Sequence, residues 1–532
     1  MVDEKKELAK RKERLKSWLS NNYNLSLVFI ILAAFAIRLY YFVHTSGQTL
    51  WWDESEYMSA AKHWAFGVNY DLNPQRPPLF QFLSALVFMV GLGEGFIRFA
   101  FVLIPSLIFI IAVFYLGKEM YNEKVGLLSS FFVCVSWTVL FWTARVQPDS
   151  FSILFQTLAI LFMWRYWKEN DNKSIIYAGI FAAIGFYFKV SALLVPIIFL
   201  VFIIFKDRLS MFKNKQYYKF VGTYLLTLVP YFVWAYSTFG TPFAFRQGYS
   251  DAVGTIVPFS WSTLNLFYGL TDNLLFILFL AGLILSLEFL LYFDIVVKNR
   301  EKMLNPGIFG VLTLIIVSAF YIFYIRGGTE DRWVFLWLPF IFMMASLALV
   351  KIYELTGKYG KNIAIIVVLV LLALSGYFQL THANQIINDR KDSYSPIKDA
   401  GLWIKINSDF NDKVATISIP QTTYYSEREI VSYSKVKNSS DFDLFLDENR
   451  PRFVEMSLFE PHPSTAIARG QQEDKGYIVM PYFNSSIVFD STGKLISADV
   501  KQTISKNNKE FKYVYPIDSL NGVFVYEVKY LQ

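Results

Sequence analysis

The sequence predicts a polytopic α-helical membrane protein that ends in a separate α+β domain. Three observations carry that fold class. Apolar residues make up 54% of the 532 and charged residues only 17%, against about 45–50% and about 25% in soluble globular chains. The surplus is gathered into long runs: Val28–Ala36, Phe101–Phe114 and Ile363–Leu374 hold no charged residue. Beyond residue 383 the texture changes to short alternating apolar and polar stretches punctuated by Gly, Asn, Asp and Pro. A soluble enzyme, a disordered chain and a fibrous protein are excluded.

Residues 1–24 form a basic cytoplasmic N-terminus. A mostly charged stretch leads into an apolar run without a small-residue cleavage pattern, so the first span is expected to be retained rather than removed as a signal peptide. A spanning helix needs about 20 mainly apolar residues. Candidates lie near 25–43, 96–116, 125–142, 150–166, 175–188, 191–205, 220–237, 273–293, 307–325, 333–350 and 362–380, about eleven in all. They make a transmembrane domain over 25–383 with a large first outer loop at 44–95. The apolar segment 78–91 reaches only about 21 Å at 1.5 Å per residue, against a hydrocarbon core of about 30 Å. It is read as a helix that lies at the interface or dips in without crossing, with a short tilted span as the alternative.

Charge fixes the sides. With the N-terminus inside and 78–91 not crossing, the inner segments hold 23 Lys and Arg. The outer ones hold 8: Lys62, Arg76, Arg98, Arg145, Lys189, Arg246, Arg326 and Arg332. That bias follows the positive-inside rule, and a crossing at 78–91 would collapse it. The formal net charge of +7 is therefore read as a topology signal, with no nucleic-acid partner implied. Cys134 is the one cysteine, which excludes an intrachain disulfide and a multi-thiolate zinc site.

Eleven crossings place the C-terminal α+β domain, 384–532, outside the membrane. Strands are expected at Val414–Ile419, Phe453–Leu458, Tyr477–Tyr482, Phe511–Tyr515 and Val523–Val528, with a helix near Ile397–Ile406. Sequons at Asn438 and Asn484 fall on that side. No internal repeat is visible.

In a chain this poor in charge, polar groups near the membrane are the informative ones. Asp53 and Glu54 follow Trp51-Trp52 in the first outer loop. Partial desolvation there would raise a carboxylate's basicity and suit a general base or a hard-cation ligand. Asp53 could equally begin a helix as its cap. The loop closes in Gln75-Arg76-Pro77-Pro78. Arg145 and Asp149 lie between the third and fourth spans, where Asp149 could also be a cap. Arg326, Glu330, Asp331 and Arg332 form a salt-bridged turn or an anion clamp. Lys189 and Arg246 read as solvated outer cations, and Arg38, near the outer end of the first span, can snorkel. No GxxxxGK[ST] motif is present, which argues against ATP-driven work. Carboxylates and cations gathered on one face suit a ligand with a phosphate head and an apolar tail.

The segment Arg38–Arg165 resembles the N-terminal core of the GT-C fold glycosyltransferases, specifically the protein O-mannosyltransferase and aminoarabinose transferase superfamily. The residues that carry the resemblance are Arg38, Asp53-Glu54 followed by Tyr57, Arg76-Pro77-Pro78-Leu79, Glu94 with Arg98, Leu116-Gly117-Lys118, and Ala144-Arg145 with Asp149; Asp331-Arg332 with Pro339 resembles a later motif. The resemblance implies a GT-C fold and a membrane glycosyltransferase. Its donor is a sugar on a polyprenyl (dolichyl or undecaprenyl) phosphate, transferred with inversion to an acceptor hydroxyl at the outer face. Asp53 is implied as the base, with Glu54 orienting it or the sugar. Arg76, Lys189 and Arg332 are implied as cations for the leaving phosphate, and Arg145, Asp149 and Glu330 as further site residues. No cofactor is required; a divalent cation, if used, falls to Asp53, Glu54 and Asp149. Partners are the lipid-linked donor, a protein, lipid or glycan acceptor, and membrane lipids. Two departures stand out: Gln75 replaces a glutamate of the aminoarabinose branch, and the tail lacks MIR-type repeats. A lipid-linked sugar transporter or flippase is the alternative; it would favour internal repeats and mid-membrane polar groups.

Overall fold

The computed structural model describes residues 7, 11–13, 16–247, 261–292, 302–325, 330–472, 475–491, 495–516 and 521–531. The chain forms two compact units. One comprises Met1–Ser46, Pro74–Phe80 and Glu94–Asp389, the other Gly47–Asn73, Gln81–Gly93 and Arg390–Gln532.

The first unit is helical. Five of its described helices begin where an Asn or Asp takes up the unpaired N–H groups of a first turn. Asn21 does this for Asn22–His44, Asn122 for Glu123–Val135, Asp171 for Asn172–Phe188, Asn214 for Lys215–Phe239 and Asn305 for Pro306–Ala319. Eight helical stretches of the described residues are long and apolar enough to cross a membrane. They are Asn22–His44, Glu94–Met120, Val190–Lys213, Lys215–Phe239, Trp261–Leu291, Pro306–Tyr324, Asp331–Gly357 and Lys361–Arg390. A ninth is the pair Glu123–Val135 and Trp137–Thr143, if its 53° bend is one broken span. The two other expected spans are also helices, Asp149–Glu169 and Asn172–Phe188. Ser152, Gln156 and Arg165 dilute the first, and the second has only 17 residues.

Burial ranks these helices. In Asp331–Gly357, 89% of the apolar window is covered by protein, against 22% in Asn22–His44, Lys215–Phe239 and Lys361–Arg390. Asp331–Gly357 is thus the centre of the bundle and the other three form its apolar rim. Close packing at the centre depends on Gly282, because a Cβ there would lie 1.7 Å from the Met344 carbonyl oxygen. The short apolar helix Leu79–Met89 has 11 residues, about 17 Å at helical rise.

The second unit holds two sheets. Strands β1 (Lys413–Ala415), β2 (Glu429–Val431), β3 (Phe453–Ser457), β8 (Thr503–Lys506), β9 (Lys509–Tyr515) and β10 (Val523–Tyr530) make one, in the order β2-β1-β3-β10-β9-β8. Strand β1 runs parallel to β2 and β3; the remaining pairs are antiparallel. Strands β4 (Ala468–Gln472), β5 (Lys475–Met480), β6 (Ser485–Asp490) and β7 (Leu495–Asp499) form an antiparallel meander. The sheet core gathers Val454, Met456, Phe483, Phe511, Phe524 and Tyr526. All five expected strands are present in part, and the expected helix is Ser395–Ile406. The strand expected to run to Ile419 stops at Ala415, since Ser418 and Pro420 open a helix, Ile419–Ser426. The helix Trp52–Phe66 belongs to this unit and ends on Gly67, whose φ of 73° is the left-handed closure that glycine allows.

Candidate functional site

In the helical unit the structure brings three of the expected residues into one pocket. Asp149 opens the helix Asp149–Glu169, and Lys189 ends Asn172–Phe188 in extended backbone before a 3-10 turn, Val190–Leu193. Phe188 stacks on Phe151 with ring centroids 4.5 Å apart and lies 5.8 Å from Phe155. This aromatic contact locks the two helices so that the Lys189 ammonium pairs with Asp149 Oδ1. Asp149 is 3% exposed, and its Oδ2 has no hydrogen-bond partner among the described residues.

Arg332 arrives from the turn Asp331–Trp337. Asp331 anchors that turn by accepting hydrogen bonds from Thr138 Oγ1 at 2.7 Å and Trp142 Nε1 at 2.9 Å. The Trp142 ring also carries the Arg332 guanidinium, 4.7 Å from its centroid. Arg332 Nε donates to Glu330 Oε2 at 2.5 Å. Asp149, Lys189 and Arg332 line one pocket with Ser152, Gln156, Ser191 and Trp333. The expected salt-bridged turn and the expected cation site therefore coincide at Glu330 and Arg332; Arg326 lies outside the described residues.

A buried ion pair stabilises a fold only weakly, because desolvation offsets the attraction. The partly exposed Lys189 and the buried Arg332 bring two cations to this pocket against the one carboxylate of Asp149, so its lining offers an anionic group charge and hydrogen-bond donors. Lys189 is not the solvated singleton that its position suggests. Ser152, Gln156 and Ser191 escaped sequence reading, since isolated Ser and Gln in apolar helices carry no local signal. Gln156 Nε2 donates to Ser152 Oγ at 2.9 Å.

Other buried arginines hold the scaffold. Arg38 does not snorkel: it is 2% exposed, and its guanidinium donates to the carbonyls of Cys134 at 3.1 Å and Val133 at 3.2 Å and to Ser106 Oγ at 3.0 Å. Those carbonyls end the helix Glu123–Val135 and would otherwise lack partners. Gln379 serves the other side of the same break by accepting from Trp137 N at 2.8 Å. Its amide donates to Thr271 O and Asp272 Oδ2 at 2.9 and 2.6 Å, where a second helix is broken at Asp272. Arg98 donates to Thr45 O and Thr45 Oγ1 at 2.9 and 2.6 Å. Arg145 is buried as well. Arg76 is half-buried in the turn before Leu79–Met89.

Asp53 and Glu54 lie in the first turn of Trp52–Phe66, in the second unit. The capping role falls to Glu54, whose Oε2 accepts from Trp51 N at 2.6 Å. Asp53 is half-buried one residue before it. Glu54 bonds to Trp51, and Asp149 pairs with Lys189. Among the described residues no group of three or more His, Cys, Asp or Glu is arranged to hold a metal.

Residues 75–234 match the family model of dolichyl-phosphate-mannose-protein mannosyltransferase, a stretch that contains Arg76, Asp149 and Lys189. No curated protein matches this chain. Among solved structures, the archaeal oligosaccharyltransferase AglB from Archaeoglobus fulgidus, in complex with an inhibitory peptide and a dolichol-phosphate, is similar with a TM-score of 0.60 and 13% identity. The match covers 83% of this chain and 70% of that one. ArnT from Cupriavidus metallidurans, bound to undecaprenyl phosphate, is similar with a TM-score of 0.58 and 12% identity, over 84% of this chain and 96% of that one. The chain thus shares the GT-C fold of these membrane glycosyltransferases, and the similarity of residues 75–234 is to a glycosyltransferase family.

Proposed function

We propose that this multi-pass membrane protein moves a sugar from a polyprenyl phosphate carrier to an acceptor hydroxyl at the outer face of the membrane. The observation that carries the reading is the pocket in which Lys189 and Arg332 flank Asp149. Its charge suits a phosphate, and the lipid phosphates named with the two solved neighbours are of that chemistry. The N-terminus lies inside and the domain 384–532 outside, as the distribution of Lys and Arg requires.

In the reaction, Asp53 takes the proton of the acceptor hydroxyl. The acceptor oxygen bonds to the sugar C1 as the bond from C1 to the phosphate oxygen breaks, and the electron pair leaves with polyprenyl phosphate. One displacement inverts the anomeric centre. Phosphate is already a good leaving group, so the protein's task is to neutralise its growing charge, the part of Lys189 and Arg332 with Arg76. Asp149 holds Lys189 in place until the phosphate arrives. Arg145 and Glu330 support this cation set. No step of this reaction uses a metal.

The test is incubation of the purified protein with a panel of polyprenyl-phosphate sugars and acceptors, read by mass spectrometry. Sugar-modified acceptor with free polyprenyl phosphate is expected. Passage of intact donor across vesicles without any transfer would favour a flippase and end the proposal.

A further inference from the structure

The helix Trp52–Phe66 is held along one face by the helix Ile419–Ser426 of the C-terminal domain. Leu50 N, just before Asp53, donates to Tyr425 Oη at 2.8 Å. Ser59 Oγ donates to Pro420 O at 2.8 Å. Lys62 donates to Tyr424 O at 2.7 Å and to Glu427 Oε1 at 2.6 Å, and its ammonium lies 4.1 Å from the Tyr424 ring centroid. The Tyr424 carbonyl is in the last turn of its helix, where a cation is the natural partner. Glu427 is gripped from the other side by Lys405 at 2.6 Å.

The Ile419–Ser426 helix is itself pinned to the sheet. Thr422 Oγ1 donates to the buried Glu455 at 2.6 Å, and Ser418 Oγ to Glu460 at 2.7 Å. Leu50, Ser59, Thr422 and Tyr425 are all buried. A continuous chain of hydrogen bonds therefore runs from strand β3 through this helix to the turn that bears Asp53.

We propose that the C-terminal domain sets the position of Asp53, with Tyr425, Lys62 and Glu427 as positioning residues. The proposal rests on the reading of Asp53 as the base. A base misplaced by about 1 Å can cost about 100-fold in rate.

The test uses the full chain with Tyr425→Phe, Lys62→Met and Lys62→Arg, alongside Asp53→Asn. Tyr425→Phe and Lys62→Met are expected to lower kcat by about 10-fold while leaving the donor KM within about twofold. Lys62→Arg should recover most of the loss. Amide exchange over residues 50–58 should quicken in both damaging variants, with strands β3 and β10 still protected. Unchanged exchange and unchanged kcat in both would overturn the positioning role, even with an inactive Asp53→Asn. A fully active Asp53→Asn would instead remove the base, while the exchange measurement still decides whether the domain holds the helix.

Discussion

The ammonium of Lys189 and the carboxylate of Asp149 form an ion pair between residues 40 positions apart, inside a pocket that Arg332 also lines. Such a pair holds its cation ready without adding much stability, since the cost of desolvation nearly cancels the attraction. A phosphate entering the pocket would meet two cations that protein already largely surrounds.

Removal of one partner should separate binding from folding. Lys189→Met leaves Asp149 buried and uncompensated, a loss of about 3–5 kcal/mol, and raises the donor KM by at least about 10-fold. Adding Asp149→Asn should restore the melting temperature and leave the donor KM high. Recovery of donor affinity in the double variant would show that Lys189 does not meet the phosphate.

Arg38 is expected to matter for folding and little for chemistry. Arg38→Met strands the carbonyls of Cys134 and Val133 at the end of their helix, at about 1–3 kcal/mol for each unsatisfied group. Thermal unfolding in detergent should fall by several degrees, while kcat per folded molecule stays near the original. A selective loss of kcat would assign Arg38 to the site.

Much of this was legible because charges are scarce. Asp53, Asp149, Lys189 and Arg332 stood out one by one against apolar surroundings. The meeting of Asp149, Lys189 and Arg332 in one pocket was not legible, because it depends on Phe151 and Phe188 stacking and on Asp331 bonding to Trp142, contacts with no sequence periodicity. Gln379 was invisible for the same reason: a lone amide in an apolar helix looks incidental until two helix breaks are seen to meet it. Strands β2 and β8 and the meander strands β4, β6 and β7 were missed, their registers set by pairing rather than by strong alternation.

The C-terminal domain should respond to pH through Glu455. Burial, with Glu460 nearby, pushes its carboxyl from 4.5 up to about 8, although the hydrogen bond from Thr422 opposes this. The folded state then holds a proton that the unfolded state has released, so stability falls as pH rises from about 4.5 to about 8. His462 works in the opposite direction: burial lowers it from 6.5 to about 4, and its contribution is lost as pH falls below about 6.5. The Glu455 effect is therefore cleanest between about pH 6.5 and 8, where its slope approaches about 1.4 kcal/mol per pH unit. Glu455→Gln should flatten that slope, as read from the protection of strand β3. An unchanged slope would place the proton elsewhere.

Close packing at the bundle centre can be checked at Gly282. Gly282→Val places side-chain atoms against the Met344 carbonyl, and overpacking of this kind costs about 1–3 kcal/mol. Folded yield and melting temperature should both drop. An unaffected melting temperature would mean that the two helices can part at little cost.

The most direct measurement is transfer by Asp53→Asn, with the purified protein and the lipid-linked donor that the wild type uses. The replacement keeps size and removes the base. Transfer should fall by about 100- to 10,000-fold, with melting temperature and polyprenyl phosphate binding unchanged. Turnover equal to that of the wild type would contradict the assignment of Asp53 as the group that takes the acceptor's proton.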